Sequence, residues 1–124
     1  MYKGRDISDY IEDICNAIMD VSEFTNGMTF DLFSTDKRCS NAVIRSLEVP
    51  GEAAKHISAD FRQEHPGIPW SQMAGMRDVL IHDYMGVDLK TVWKVAVERL
   101  PDLAAKMQAI RVLASKESSE TKKL

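Results

Sequence analysis

The chain has 124 residues, of which 44% are hydrophobic and 28% are charged, so a single folded domain with its own core is expected and wholesale disorder is excluded. Sixteen Lys and Arg residues against nineteen Asp and Glu residues give a net charge of −3. This balance excludes a broadly basic nucleic-acid coat protein, so any contact with phosphate must be local.

The two cysteines, Cys15 and Cys39, form no CxxC pair and have no Cys/His cluster around them. A zinc site or a disulfide framework is therefore not expected, and both residues are interpreted as buried thiols in a reducing compartment. No apolar run approaches membrane-spanning length, and the N-terminus lacks the apolar core of a signal peptide. A soluble cytoplasmic domain without a membrane or metal site is expected.

Apolar residues recur at three- and four-residue steps along most of the chain, a spacing typical of helices. A first helix is predicted over about residues 5–25, with Gly27 as its C-terminal cap. The following segment, MTFDLFSTD, is predicted to be a connector. Its last residues are the candidate N-caps of a second helix: Ser34, Thr35 and Asp36.

The second helix is predicted from about Asp36 to Glu48, and Pro50-Gly51 is predicted to kink or break the chain. A third helix is predicted over about residues 52–64. The stiff HPGIPW loop follows, and Pro69 is well placed in the first turn of a fourth helix that ends at Met85-Gly86.

Asp88 is the predicted N-cap of a fifth helix, which Pro101 either kinks or replaces by a new helical segment. Residues 1–114 are expected to form one domain, and the polar residues 115–124 a disordered tail. Because no β-alternation of useful length appears, the predicted fold is all-α, an up-and-down antiparallel bundle of four to five helices.

The end of the fourth helix carries an unusual set of polar residues: Arg77, Asp78, His82 and Tyr84. In an ideal helix Asp78 and His82 lie about 40° apart, while Arg77 and His82 lie about 140° apart. One straight helix therefore does not easily direct both cations at one atom. Two copies packed across a two-fold axis could do so, and Gly75 would let their backbones approach closely.

These residue types suit cleavage of RNA without a metal ion. A neutral imidazole at position 82 can take the proton from a ribose 2′-OH. The guanidinium of Arg77 can bind the scissile phosphate through two hydrogen bonds and stabilise the developing charge. Asp78 could orient His82 and favour its protonated form. The expected products are a 2′,3′-cyclic phosphate and a 5′-hydroxyl.

The pattern resembles the R-x4-H-x-Y motif of the HepT toxins in the HEPN superfamily. The resemblance extends over about residues 3–110 and includes RDISDYIEDI, GEAAKHIS and PGIPWSQMAGMRDVLIHDYMGVDLKTVW. One departure is Val49-Pro50 before Gly51-Glu52, where the family more often has an aliphatic residue directly before GEA. The departure leaves the motif unchanged.

The resemblance implies an all-α, HEPN-like RNase toxin that acts as a homodimer within a type VII toxin–antitoxin system. It assigns Arg77 and His82 as the catalytic pair, Asp78 as a supporting polar residue and Tyr84 as the site of AMP transfer. The implied partners are RNA and a minimal nucleotidyltransferase antitoxin (MntA-like), which joins the toxin in a higher hetero-oligomer. No cofactor, metal or DNA is implied.

A different class of function is also possible, in which the chain is a non-catalytic helical partner that binds substrate for a nucleotidyltransferase. The presence of both Arg77 and His82 favours the nuclease, because a scaffold has no need of that pair.

Other polar residues have simpler interpretations. His56 is interpreted as forming a local ion pair with Glu52. A modest basic patch on the second helix is interpreted as an RNA contact or a solvated face: Lys37, Arg38 and Arg45.

Overall fold

The computed structural model describes residues 5–81 and 88–123, with side chains described for residues 5–76 and 88–113. All secondary structure in these ranges is helical, which confirms the predicted all-α bundle. In chain order the α-helices are α1 (Ile7–Thr25), α2 (Phe30–Thr35), α3 (Lys37–Lys55), α4 (Ala59–Glu64), α5 (Trp70–Ile81), α6 (Leu89–Lys94) and α7 (Leu100–Lys123). A π-helical turn, Val95–Arg99, separates α6 from α7. Within the described ranges, none of these helices has the length and apolar character needed to cross a bilayer.

Helix α1 has a defined start and a defined end. The Asp6 carboxylate accepts from the Asp9 amide at 3.1 Å, and the Asp9 carboxylate accepts from the Asp6 amide at 3.1 Å. This reciprocal pair is a capping box, which satisfies two amides at the helix start. After Thr25 the chain leaves the helix through Gly27, whose φ of 75° confirms the predicted C-terminal glycine.

The core forms where α1 packs against α3 and α7. Ile11, Ile14 and Val21 on α1 are almost completely buried, as are Val43 and Leu47 on α3. Tyr10 stacks on His56 and the Cys39 thiol contacts the Phe24 carbonyl, so α1 and α3 run antiparallel. The Cys15 thiol contacts the Met107 carbonyl and Glu12 pairs with Arg111, so α1 and α7 also run antiparallel.

The prediction that Pro50-Gly51 separates two helices is wrong. Helix α3 continues through Pro50 to Lys55, and only Ala59–Glu64 of the predicted third helix forms α4. A proline inside a helix removes one backbone hydrogen bond and bends the helix, but it does not forbid helical φ. Pro50 and Gly51 are both buried, so packing on both sides of the proline offsets the lost hydrogen bond.

The predicted connector also contains a helix that the sequence analysis missed. Helix α2 begins after Thr29, whose hydroxyl accepts from the Leu32 amide at 3.2 Å. This six-residue helix buries Phe33 completely, and the centroid of the Phe33 ring lies 5.1 Å from that of Trp93. Asp36 then accepts from the Cys39 amide at 3.0 Å, which confirms it among the three candidate N-caps of α3.

The last part of the chain forms α6, the π-helical turn and α7 in succession. Asp88 caps α6 by accepting from the Lys90 amide at 3.0 Å and the Thr91 hydroxyl at 2.9 Å, as predicted. These hydrogen bonds, above all the one from Thr91, hold the pKa of Asp88 below its usual value. Helix α7 begins beside Pro101 and runs to Lys123. The division into residues 1–114 and a tail of residues 115–124 stays a prediction, and α7 continues helically across that boundary.

Neither cysteine forms a disulfide within the described part of the chain. Cys15 is buried, and burial raises the pKa of its thiol. Cys39 is only half-buried, so the prediction of two buried thiols is accurate for Cys15 and overstated for Cys39.

Candidate functional site

The four predicted site residues belong to α5 and to the segment that follows it. Helix α5 carries Arg77 and Asp78 in its backbone, two turns after Trp70. Their side chains are not among those described, and His82 and Tyr84 lie outside the described residues altogether. The roles assigned to these four residues therefore stay predictions, and the structure defines the backbone of the helix on which the motif begins.

The start of α5 is held firmly by the loop before it. The indole Nε1 of Trp70 donates to the His65 carbonyl at 2.9 Å, and the Trp70 amide donates to the Ile68 carbonyl at 2.8 Å. Phe61 contacts both rings, with centroid distances of 4.6 Å to His65 and 6.3 Å to Trp70. Pro69 restricts the backbone of Ile68, so this loop is stiff as well as packed.

Two further contacts fix the direction and rotation of α5. Met73, one turn after Trp70, is 1% exposed and belongs to the main core. On the outer side of the loop, the Lys106 ammonium donates to the Gly67 carbonyl at 3.3 Å, which ties the entry to α5 to helix α7. Because Trp70 and Met73 are anchored in the core, the helical register that Arg77 and Asp78 continue is already set.

A groove of about 300 Å³ runs beside the described part of the motif helix. Four of its residues come from α5 and the others from Pro69, α6, the π-helical turn and α7. They are Pro69, Gln72, Met73, Gly75, Met76, Thr91, Val95, Arg99, Leu100 and Leu103. Most of this surface is apolar, and its polar groups are a primary amide, a hydroxyl and one guanidinium.

Gly75 forms part of the groove wall. Beyond the adjacent backbone of its own helix, a Cβ placed on this glycine would meet no described atom within 4 Å. A glycine in a helix interior costs about 1 kcal/mol relative to alanine. The described part of the chain therefore gives no packing reason for a glycine here, and the reason predicted from the sequence is close approach by a second copy of the helix.

Arg99 is the groove residue that the sequence analysis missed. It is exposed and lies in the π-helical turn, across the groove from α5. In a straight α-helix it would lie about 20° from Val92, which is completely buried. The π-helical turn adds one residue and rotates Arg99 away from that buried side by about 100°. Pro101, two residues later, is the sequence signal that could have indicated this distortion.

The other polar groups considered from the sequence lie away from this groove. His56 pairs with Glu52 at 3.6 Å, as predicted, and its ring also stacks on Tyr10 with centroids 5.1 Å apart. The basic patch on α3 is exposed and lines no part of the groove: Lys37, Arg38 and Arg45. Within residues 5–81 and 88–123, no group of three His, Cys, Asp or Glu residues is arranged to hold a metal ion.

Comparison with known proteins connects the chain to one family. The profile of the family described as "Ribonuclease HepT-like" matches residues 14–110. A protein of Thermococcus cleftensis named "Probable ribonuclease HepT" is 49% identical over 107 residues, which cover 86% of this chain and 97% of that protein. A protein of Methanocaldococcus jannaschii named "Putative RNase" is 43% identical over 98 residues, 79% of this chain and 81% of that protein.

A longer protein of Methanocaldococcus jannaschii, whose name joins a gamma-glutamylcyclotransferase to an RNase, is 35% identical over 119 residues; these cover 96% of this chain and 53% of that protein. No solved structure was found to match the chain. The family profile covers α5, the predicted motif and the groove, and relatives of similar length align over most of both chains. The chain belongs to the HepT-like ribonuclease family.

Proposed function

We propose that this protein is a metal-independent endoribonuclease and the toxin of a type VII toxin–antitoxin system. One observation carries the proposal: the family match over residues 14–110 includes the whole R-x4-H-x-Y segment, in which every motif position is filled. The groove beside α5 supports it, because it provides a surface next to the motif helix on which a strand of RNA can lie.

In the proposed reaction, His82 removes the proton from a ribose 2′-OH and the 2′-oxygen attacks the adjacent phosphorus. The bond from phosphorus to the 5′-oxygen breaks, the 5′-oxygen takes up a proton, and a 2′,3′-cyclic phosphate remains on the other fragment. Arg77 binds the non-bridging oxygens and stabilises the charge that they gain. Asp78 orients the imidazole. The attacking oxygen belongs to the substrate, so the first step requires no activated water.

Replacement of Arg77 or His82 by alanine is expected to lower RNA cleavage by a factor of about a hundred or more. Cleavage of a labelled RNA by the unmodified protein measures this, with and without EDTA. Lys55→Ala, at an exposed cation of α3 outside both the groove and the basic patch, is the control and should retain wild-type cleavage. Full activity in His82→Ala, or complete loss of wild-type activity in EDTA, contradicts the mechanism. A folded wild-type protein that binds RNA without cutting it favours the non-catalytic alternative.

Arg99 is proposed to bind RNA rather than to take part in the chemical step. Arg99 lies on the groove wall formed by the π-helical turn, where its guanidinium can bind a phosphate of RNA. Gln72 and Thr91 add neutral hydrogen-bonding groups along the same groove. The apolar floor between them suits the faces of unpaired bases, which favours single-stranded RNA over a duplex.

Arg99→Gln is therefore expected to raise KM for a short single-stranded RNA by roughly five- to tenfold while kcat changes little. Loss of one phosphate contact should also reduce the slope of log affinity against log salt concentration by about 0.7. Steady-state kinetics and fluorescence anisotropy at several salt concentrations measure the two effects. Lys55→Gln, at an exposed cation of α3 outside the basic patch, should change neither. An equal loss of kcat and of kcat/KM in Arg99→Gln would place Arg99 in the chemical step instead.

The active form is proposed to be a homodimer whose interface includes α5. Arg77 and His82 lie about 140° apart on an ideal helix, so a shared cleft between two copies accommodates both more readily than one helix does. Gly75 supports this arrangement because no side chain among the described residues lies within 4 Å of the position that its Cβ would take.

Gly75→Ala should change the stability of the isolated chain and the affinity of the dimer in opposite directions. The substitution is expected to stabilise the isolated chain by about 1 kcal/mol, because alanine is the better helix former. It should weaken the dimer by about tenfold or more, because a methyl group at a close helix contact causes overpacking. Analytical ultracentrifugation over a concentration series measures the second effect, and Ser71→Ala, an exposed position on the same helix, is the control. Dimerisation of Gly75→Ala as tight as that of wild type would show that Gly75 is not at the interface.

Tyr84 is proposed to be the site at which a minimal nucleotidyltransferase antitoxin silences the toxin. The phenol oxygen attacks the α-phosphorus of ATP, a phosphodiester forms and pyrophosphate leaves. The added phosphate carries about one negative charge and competes with RNA for the guanidinium of Arg77, which lies seven residues earlier in the motif. Because the acceptor is a single hydroxyl, removing that hydroxyl should leave the nuclease active.

Tyr84→Phe is expected to cleave RNA at close to the wild-type rate and to resist silencing by the nucleotidyltransferase. Intact-mass measurement after incubation with that enzyme and ATP should show whole AMP additions on wild type and none on Tyr84→Phe. Tyr10→Phe, which preserves the ring stacked on His56, is the matched control and should be modified like wild type. Equal AMP addition to wild type and Tyr84→Phe would place the acceptor on another residue.

A further inference from the structure

A second cavity lies on the other side of the π-helical turn from the groove. It has a volume of about 320 Å³ and lies between the C-terminal end of α1 and the junction of the π-helical turn with α7. This volume is within the range of small-ligand pockets, about 300 to 1,000 Å³. Ile18, Leu100 and Ala104 contribute apolar walls, and Ser22 and Asn26 contribute polar groups at the end of α1.

The wall formed by the π-helical turn contains a backbone acceptor that has lost its helical donors. The Leu100 amide, which would bond to Ala96 in an α-helix, donates to the Val95 carbonyl instead. In a π-helix the Ala96 carbonyl would accept from the amide of residue 101, but this residue is Pro101, which has no N–H group. Ala96 is 4% exposed and borders the cavity. A buried carbonyl without a partner costs free energy, so a donor in this cavity would be stabilised.

On the opposite wall, the Ser22 hydroxyl and the Asn26 side-chain amide are the acceptors at the cavity, because the Glu23 and Thr25 carbonyls already accept from the Asn26 and Met28 amides. The Ser22 carbonyl receives a long contact of 3.4 Å from the Thr25 hydroxyl, whose shorter bond of 2.8 Å goes to the Val21 carbonyl. Helix α1 has 19 residues and no basic residue in its last turn, so no side chain of that turn neutralises the negative end of its dipole. Residues of two elements that carry hydrogen-bond acceptors therefore border one small space that has apolar sides.

We infer that this cavity binds a primary ammonium group carried on an aliphatic stem. An ammonium has three N–H donors and one positive charge, which match acceptors on two walls and the negative end of α1. The methylene groups of the stem match the apolar side walls. Such a group can come from a free polyamine or from a lysine of a protein partner, and the two sources share this chemistry. The inference is independent of the proposed nuclease, because it uses none of the motif residues.

Three small probes test the chemistry on the full-length chain. n-Butylammonium should shift the backbone amide NMR signals of Asn26, Gly27 and Val97 in a saturable way. Butyltrimethylammonium keeps the charge but has no N–H group, and 1-butanol keeps the stem but has no charge, so both should bind at least tenfold more weakly. Absence of saturable shifts with n-butylammonium, or equal binding of the trimethyl compound, overturns the inference.

Two variants test the location of the site. Pro101→Ala restores an N–H group, so the Ala96 carbonyl gains a donor in either helical register, and n-butylammonium binding should fall at least tenfold. Ala104→Leu should fill the cavity and block binding, whereas Ala105→Leu, at the exposed neighbouring position, should not. Far-UV circular dichroism verifies that each variant is folded. Unchanged binding in folded Ala104→Leu overturns the assignment even if Pro101→Ala fails to fold.

Two further titrations distinguish the sources of the ammonium. Spermidine represents a free polyamine, and Nα-acetyl-lysine methylamide represents a lysine in a protein chain. Tighter binding of spermidine, abolished by Ala104→Leu, identifies a polyamine site, and tighter binding of the lysine derivative identifies a partner's lysine. Binding of neither compound, with n-butylammonium also inactive, excludes the site.

Discussion

The whole fold depends on burial of the apolar stripe of α1 against α3 and α7. Ile11 and Ile14 are completely buried between these helices, and each buried aliphatic side chain contributes about 1.5 to 3 kcal/mol. Polar contacts at the edges of this core fix the alignment. The guanidinium of Arg111 donates a hydrogen bond of 2.7 Å to the Glu12 carboxylate and makes a second ion-pair contact of 2.7 Å with it, and both are consistent with one register of α7 on α1. Helix α5 then packs against the far side of α3, so the position of the motif helix follows from the core.

Much of this fold could be predicted from the sequence, because helix periodicity and capping residues are local signals. Asp36 and Asp88 were predicted as N-caps and both accept backbone amides in the structure, and Gly27 has the positive φ expected of its position. The errors occurred where tertiary packing outweighed a local rule. Pro50 is a strong local signal for a break, but it is buried inside a continuous α3. Helix α2 is too short for periodicity to reveal, and burial of Phe33 against Trp93 accounts for its position.

The motif residues of the candidate site could be proposed from the sequence, whereas the groove beside them could not. The motif is a set of residue types at fixed spacing, so Arg77, Asp78, His82 and Tyr84 could be proposed from the sequence, and the family match covers all four positions. The groove could not be predicted, because it lies between α5 and residues that follow about twenty positions later. Arg99 in particular has no signal of its own: its exposure depends on a change of helical register that only Pro101 suggests.

The π-helical turn links the two cavities of this part of the molecule. Leu100 borders both the groove beside α5 and the acceptor-rich cavity at the end of α1, because the widened turn lies between them. An α-helical turn in its place would contain one residue fewer, so Arg99 would rotate back towards the side of Val92. The Leu100 amide would then donate to the Ala96 carbonyl. The same distortion thus turns Arg99 towards the groove and leaves the Ala96 carbonyl without its α-helical donor. A ligand that stabilises the π register from the cavity side would also stabilise the exposed position of Arg99 in the groove, since both features require the same turn.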